Sequence, residues 1–111
     1  MHRLIALYHP PKSEEDFRSH LVKVHLPLVA KFPKLRSLRY GFGVEAGSQP
    51  SPYYAVVECE FDDEASLRAA LASPEGEAAA ADVPNYATAG VTIITFPLEP
   101  DFVGGSIGRT T

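Results

Sequence analysis

The chain has 111 residues, 45% of them hydrophobic and 22% charged, with a formal net charge of −4. This size and composition are typical of one folded domain, and the acidic balance argues against nucleic acid, since phosphate binding needs a basic face. No segment approaches the roughly 18 consecutive apolar residues of a membrane span, and the apolar run after Met1 is too short for a secretory signal. Cys59 is the single cysteine, so no internal disulfide forms and we expect a cytoplasmic protein.

The first half of the chain predicts a strand, a helix and a second strand. Residues 4–8 form a continuous apolar run that ends before two prolines, which is typical of a buried strand. Ser13 then caps a helix with an acidic first turn, and Pro27 predicts a kink or break in that helix. Residues 35–44 alternate as the second strand. The predicted buried stripe of the helix comprises Phe17, Leu21, Val24 and Leu28.

The second half predicts a strand, two helical segments and a final strand. Asp62 or Asp63 caps the first helical segment, Ser73 and Pro74 begin the second one, and Pro84 is expected to end it. The third strand has one apolar face and one face that becomes acidic toward its end. The third strand is predicted at residues 53–61, the first helical segment at 64–72 and the final strand at 91–96.

The element order β-α-β-β-α-β is that of the ferredoxin-like α+β fold, a four-stranded antiparallel sheet with helices on one face. The other face should be polar, but the first and fourth predicted strands are apolar on both faces. An uncovered apolar face marks an interaction surface, so we expect a homodimer that packs sheet to sheet. Residues 1–97 then form the domain, and residues 98–111 form a flexible tail or an arm that reaches the partner subunit.

Three segments resemble the EthD (ethyl tert-butyl ether degradation) family, in the family's order and spacing. They are residues 7–11 followed by Phe17, residues 25–35 with an H-x-P-L motif that begins at His25, and residues 71–76 leading to Asp82 and Tyr86. Lys34 stands where the family usually has glycine, which is a departure within a turn. The resemblance spans residues 4–96, nearly the whole domain.

The resemblance implies a dimeric α/β barrel built from ferredoxin-like subunits. Members of the family are linked to the degradation of ether xenobiotics beside an oxidising system. Related barrels include lactone isomerases, polyketide cyclases and small monooxygenases. We expect no cofactor: a haem-binding variant with His25 as axial ligand is disfavoured, because nothing else in the sequence requires haem.

His25 is the strongest candidate for a catalytic residue, because an imidazole can transfer protons near neutral pH. On a helical wheel of about 100° per residue His25 borders the buried stripe. It therefore either lines a pocket between helix and sheet or bonds a carbonyl that the kink at Pro27 leaves free. His20 lies about 140° away on the same wheel, whereas histidine pairs that bind zinc on a helix are four residues apart. No metal site is expected.

Aromatic and acidic side chains are predicted to complete the pocket. Tyr8 is the second predicted catalytic residue, since its hydroxyl could orient a substrate. The predicted ligand-binding residues are Tyr40, Phe42, Tyr86 and Asp82. The alternative for each aromatic side chain is core packing, and the alternative for Asp82 is a solvated position at a helix end.

Three hypotheses on function are compatible with these residues. In the first, the protein is a cofactor-independent isomerase or cyclase, or an accessory of an oxidative degradation pathway, with His25 as acid/base and a small apolar, oxygenated substrate. In the second, the same pocket only binds or carries such a ligand. In the third, side chains fill the pocket and the dimer is an assembly unit.

Overall fold

The computed structural model describes residues 1–100 and 102. Four strands form one antiparallel sheet in the order β2-β3-β1-β4, and the helices pack on one of its faces. This architecture confirms the predicted ferredoxin-like α+β fold. In chain order the elements are β1 (His2–Tyr8), α1 (Glu14–His20), a π-helical turn (Leu21–His25), α2 (Leu26–Val29), β2 (Ser37–Phe42), β3 (Ala55–Phe61), α3 (Glu64–Ala72), α4 (Pro74–Tyr86) and β4 (Val91–Pro97).

The central strands β1 and β3 supply the floor of the core. Every second side chain on these strands is buried under the helices, and the side chains between them are half-buried on the other face. We call that other face the open face. The strand register gives it five apolar side chains, Ile5, Leu7, Val56, Ile94 and Phe96, beside the charged Arg3, Arg39, Glu58 and Glu60.

Helices α1, α3 and α4 each begin at a short polar side chain. Ser13, Asp63 and Ser73 each accept a hydrogen bond from the backbone N–H three residues later, which satisfies a donor that the helix itself cannot use. These caps confirm the predicted helix starts and select Asp63 over Asp62.

The first helical segment is interrupted before Pro27. In the π-helical turn the backbone N–H of Leu26 bonds the carbonyl of Leu21, five residues back instead of four. Proline has no N–H with which to continue the α-helical pattern, and in an α-helix its ring would crowd the carbonyl of Lys23. The wider turn removes that conflict, and it confirms the predicted break.

The π-helical turn also corrects the predicted buried stripe. A π turn holds more residues than an α turn, so every side chain after Leu21 is rotated relative to an unbroken helix. Val24 is consequently 43% exposed, and His25 is buried in its place at 5% exposure. The prediction of Val24 in the core was therefore wrong.

Helix α4 runs through Pro84 to Tyr86, so the prediction that Pro84 ends it was wrong. Pro84 is exposed in the last turn, where its ring disturbs one upstream carbonyl and little helix follows. Asp82 consequently lies inside the helix, not at its end. Asp82 and Tyr86 are four residues apart on one side of α4, and both are buried.

The predicted tail, residues 98–111, falls outside the described residues except for 98–100 and 102. The backbone N–H of Leu98 donates to the carbonyl of Met1 at 2.9 Å, which continues the pairing of β1 with β4. In residues 1–100 and 102 no helix has the length and apolar character needed to cross a membrane.

Gly76 allows α4 to start directly against the end of α3. Ser73 closes α3 and caps α4 at the same time, and Gly76 is buried in the sharp bend that results. A Cβ at this position would lie closer than 3.0 Å to the backbone carbonyl oxygens of Ala70 and Leu71.

We expect Gly76→Ala to lower the free energy of unfolding by about 1–3 kcal/mol, because backbone atoms must move to admit the methyl group. In an unobstructed helix the same change would stabilise by about 1 kcal/mol. Urea denaturation measures the difference, with Ala78→Gly at an exposed position of α4 as the control for the intrinsic cost of glycine. A Gly76→Ala variant more stable than the wild type would contradict the close approach.

Candidate functional site

Asp82 is the centre of a hydrogen-bonded cluster under the first helical segment. His20 Nε2 lies 2.9 Å from Asp82 Oδ1 and 3.0 Å from Oδ2. His25 Nδ1 lies 3.0 Å from Oδ2, and Asn85 Nδ2 donates to Oδ1 at 3.0 Å. A carboxylate can only accept, so each nitrogen carries the hydrogen that it donates. We call these four residues the Asp82 cluster.

The π-helical turn brings the two histidines to one carboxylate. In an α-helix, residues five apart project about 140° from each other, which is why the sequence predicted no shared site. The i→i+5 pattern of the π turn lines up residues five apart instead, so His20 and His25 both reach Asp82. Single π turns occur often at functional sites.

Tyr86 lies against both imidazole rings. Its ring is stacked on His20, with centroids 5.0 Å apart and an interplanar angle of 13°, and its centroid is 4.8 Å from that of His25. The Tyr86 hydroxyl oxygen is 2.6 Å from that of Tyr8, and either hydroxyl can be the donor. The tyrosine pair therefore satisfies its own buried hydroxyls and restricts the rings of both histidines.

His25 and Tyr8 also line a cavity of about 110 Å³ between the helices and the sheet. The remaining lining is mainly apolar and includes Leu4, Ala6, Val29, Phe32, Val83 and Ile93. This volume is smaller than the apolar cavity of about 150 Å³ that is known to hold benzene, so a ligand inside it would be no larger than about one ring. On the other side of His20, a surface pocket is lined by Lys12, Asp16, His20, Asn85 and Tyr86, among others.

Burial and hydrogen bonding set the protonation states of the cluster. Burial lowers the pKa of His25 below its ordinary value of 6.5, and this outweighs the opposing hydrogen bond and charge of Asp82. Burial acts to raise the pKa of Asp82, but the hydrogen bonds from Asn85, His20 and His25 outweigh it and hold that pKa below 3.8. At neutral pH the cluster therefore contains an Asp82 carboxylate and a neutral His25.

Two tyrosines and one thiol near His25 stay neutral. Burial raises the pKa of Tyr8 and of Tyr86 above the ordinary value of 10.0. Burial also raises the pKa of the Cys59 thiol to about 12, which removes it as a nucleophile at neutral pH. Since Nδ1 of His25 donates to Asp82, the lone pair of the neutral ring is on Nε2.

The structure brings four of the six predicted site residues together: His25, Tyr8, Asp82 and Tyr86. It does not bring Tyr40 or Phe42 to them. Tyr40 is 49% exposed on the edge strand β2, and Phe42 packs against Phe17, Tyr54 and the guanidinium of Arg18. Helix α1 covers the end of β2 at Phe42 but leaves Tyr40 exposed, and Tyr40 does not line the cavity of His25.

Sequence reasoning missed His20 and Asn85. A straight helical wheel placed His20 away from His25, and Asp82 was predicted to bind a ligand, not to bond two histidines. The signal that could have found His20 was the combination of Pro27 with two histidines five residues apart, because a proline-induced π turn aligns that spacing. In residues 1–100 and 102 no group of three or more histidine, cysteine, aspartate or glutamate side chains is arranged to hold a metal ion.

Comparison with known proteins bears out the resemblance seen in the sequence. A family model described as the EthD domain matches residues 9–90. The chain is also 35% identical over 94 residues to an uncharacterised 11.0 kDa protein of the thcB-thcC intergenic region of Rhodococcus erythropolis. That alignment covers 85% of this chain and 91% of the relative.

Solved structures agree. An EthD family protein from Bacillus halodurans superimposes with a TM-score of 0.83 at 31% identity, over 89% of this chain and 99% of that one. A dimeric ferredoxin-like protein of unknown function from Thermobifida fusca gives 0.67 at 24% identity, over 87% and 90%. SnoaB, a cofactor-independent oxygenase from Streptomyces nogalater, gives 0.66 at 13% identity, over 92% and 96%, a likeness that shows the fold alone. With a family match over residues 9–90, this chain belongs to the EthD family.

Proposed function

We propose that the cavity binds a small, largely apolar molecule that carries an oxygen function, and that His25 moves a proton on it without a cofactor. The observation that carries this proposal is the hydrogen bond from His25 Nδ1 to the buried Asp82 carboxylate, combined with the position of His25 in the wall of an apolar cavity. Together they support the assignment of His25 as an oriented base beside a place for a substrate.

Asp82 supports proton transfer in two ways. It holds the Nδ1–H tautomer of His25, so that Nε2 is free to accept a proton. It also stabilises the imidazolium that forms once Nε2 has accepted one, because the positive charge then lies 3.0 Å from a carboxylate oxygen. A carboxylate paired with a histidine does the same in the serine protease triad.

Tyr8 is the proposed partner for the oxygen of the ligand. It lines the cavity, and its pKa is raised, so its hydroxyl keeps its proton at neutral pH. When Tyr86 donates in the hydrogen bond between the two tyrosines, the Tyr8 hydrogen is free to donate to a carbonyl or phenolic oxygen in the cavity. A proton lost from carbon next to that carbonyl would then leave an enolate that Tyr8 stabilises.

The proposed reaction classes are isomerisation and cyclisation, in which a proton is removed at one atom and returned at another. An accessory step beside an oxidative system that degrades ethers or aromatic compounds is compatible with the same site. The relative from Rhodococcus erythropolis is encoded in the region between thcB and thcC, which supports a role beside the products of neighbouring genes.

The alternative function is that of a binding or carrier protein, and the small size of the cavity supports this alternative. A volume of about 110 Å³ is small beside the roughly 300–1,000 Å³ of most ligand sites. In that case His25 Nε2 and the Tyr8 hydroxyl would only hold the ligand by hydrogen bonds. The two functions differ in whether a proton bonded to carbon leaves the ligand.

Exchange of the α-hydrogens of cyclohexanone in D₂O, followed by NMR, tests the proposal. We expect the wild type to accelerate exchange and His25→Gln to lose that acceleration, on the order of 10²-fold or more. Because the pKa of His25 is lowered, the neutral base persists below pH 6.5, so the rate should fall only at more acidic pH. His9→Gln is the matched control, since His9 bonds the carbonyl of Pro52 outside the Asp82 cluster.

Three results would count against catalysis at His25. Exchange that is unchanged in His25→Gln removes His25 from the reaction, and an acid limb above pH 6.5 contradicts its lowered pKa. If the wild type gives no exchange but binds phenol in the cavity, detected by shifts of the His25 ring resonances, the binding alternative is supported instead.

The open face of the sheet is the proposed homodimer interface. Its five apolar side chains include Ile94, which is 43% exposed, and exposed apolar patches of this kind mark interaction sites. Its charges are mixed: Arg3 donates to Glu60 at 2.7 Å and lies 3.6 Å from Glu58. A face with both signs of charge can pair with a copy of itself about a two-fold axis. The related Thermobifida fusca protein is described as dimeric.

We expect the wild type to sediment as a dimer at micromolar concentration and Ile94→Glu to sediment as a monomer, because the glutamate would be buried without a partner. The matched control is Val24→Glu, since Val24 is also 43% exposed but lies on the helical layer. This control should remain dimeric. A monomeric wild type in analytical ultracentrifugation would contradict the proposed interface.

A further inference from the structure

We propose that His20 is a positioning residue that competes with His25 for the Asp82 carboxylate and so limits how strongly His25 holds a proton. This inference deepens the proposed function, because it concerns the base of the proposed site. It rests on the geometry of the Asp82 cluster, in which two imidazole N–H groups bond one buried carboxylate.

The two histidines share one acceptor atom. His20 Nε2 is 3.0 Å from Asp82 Oδ2, the same oxygen that accepts from His25 Nδ1 at 3.0 Å. Each donor that draws on the negative charge of a carboxylate makes it a weaker acceptor for the others. A protonated His20 would oppose a second positive charge on His25 as well, and its charge does act to lower the pKa of His25. Whether His20 is neutral or charged, it lowers the pKa of His25.

The two histidines face different surroundings. His25 lines the apolar cavity, whereas the His20 side chain is 26% exposed and lines the surface pocket with Lys12 and Asp16. Tyr86 stacks on His20 and fixes the plane of its ring. His20 thus acts on the base from the solvent side without occupying the place of the ligand.

The remaining titratable groups around the pair are few. Tyr8 and Cys59 face His25 from the sheet, and Tyr86 faces both histidines from α4. All three keep their protons at neutral pH, since burial raises each pKa. Lys12 and Asp16 border His20 from the α1 end. Asp82 is the carboxylate that bonds both histidines, and one histidine influences the other through it.

The competition between the histidines restricts which substrates His25 can deprotonate. A proton taken from the ligand bonds Nε2 and leaves an imidazolium with both nitrogens protonated, and returning that proton to the product restores the neutral ring. A base weakened by burial and by competition from His20 removes only protons that are already acidic. The substrate class is therefore molecules with a hydrogen next to a carbonyl or on a phenolic oxygen, and not unactivated hydrocarbons or ethers.

The test is an NMR pH titration of the His25 ring in the protein alone, with His20→Phe as the variant. Phenylalanine keeps a ring to stack on Tyr86 and removes the N–H. We expect the pKa of His25 to be higher in His20→Phe than in the wild type. In His20→Gln, which retains an N–H donor but carries no charge, we expect a pKa of His25 between those of the wild type and of His20→Phe. His9→Phe is the matched control, because His9 also packs near a tyrosine ring, Tyr53 at 5.2 Å. This control should leave the His25 titration unchanged.

A His25 titration that stays in place or moves to lower pH in His20→Phe would overturn the inference. The acid limb of cyclohexanone exchange should move with the titration. If the pKa rises in His20→Phe while the wild type catalyses no exchange, the competition stands and the proposed function fails. If the wild type exchanges cyclohexanone and the pKa does not rise, the proposed function stands and this inference fails. Should His20→Phe not fold, His20→Gln alone still gives the direction of the shift.

Discussion

The site depends on one buried carboxylate. Asp82 is 7% exposed, and an isolated ionised carboxylate at such a position would cost several kcal/mol. Three N–H donors from the first helical segment and from α4 itself offset that cost. The same hydrogen bonds fix the orientation of two histidines, so the group that had to be satisfied for folding also sets the tautomer of His25.

Pro27 and Pro84 both determine which side chains meet around Asp82. Pro27 forces the π-helical turn that rotates His25 into the core and aligns it with His20. Pro84 lies inside α4 without ending it, and the helix continues far enough to place Tyr86 on the same side as Asp82. The helix caps and the sheet determine where these helices lie. The π-helical turn before Pro27 and the continuation of α4 past Pro84 determine which side chains meet.

The fold was predictable from the sequence because its signals are local. The strand pattern, the caps at Ser13, Asp63 and Ser73, and the element order were enough to give a ferredoxin-like sheet with two apolar faces. The placement of His25, Tyr8, Tyr86 and Asp82 close to one another was also predicted from the sequence. The pairing of His20 with His25 was not predicted, because a helical wheel with a fixed angle per residue cannot represent a π-helical turn. Tyr40 was misplaced because alternation assigns a face of the sheet and not the extent of the helices that cover it.

The central claim is that Asp82 holds His25 in the Nδ1–H tautomer, which leaves Nε2 unprotonated. A long-range ¹H–¹⁵N spectrum of the protein at neutral pH measures this directly, because protonated and unprotonated ring nitrogens resonate far apart. We predict a neutral His25 ring with its hydrogen on Nδ1. A hydrogen on Nε2, or on both nitrogens at that pH, would contradict the assignment of His25 as an oriented base.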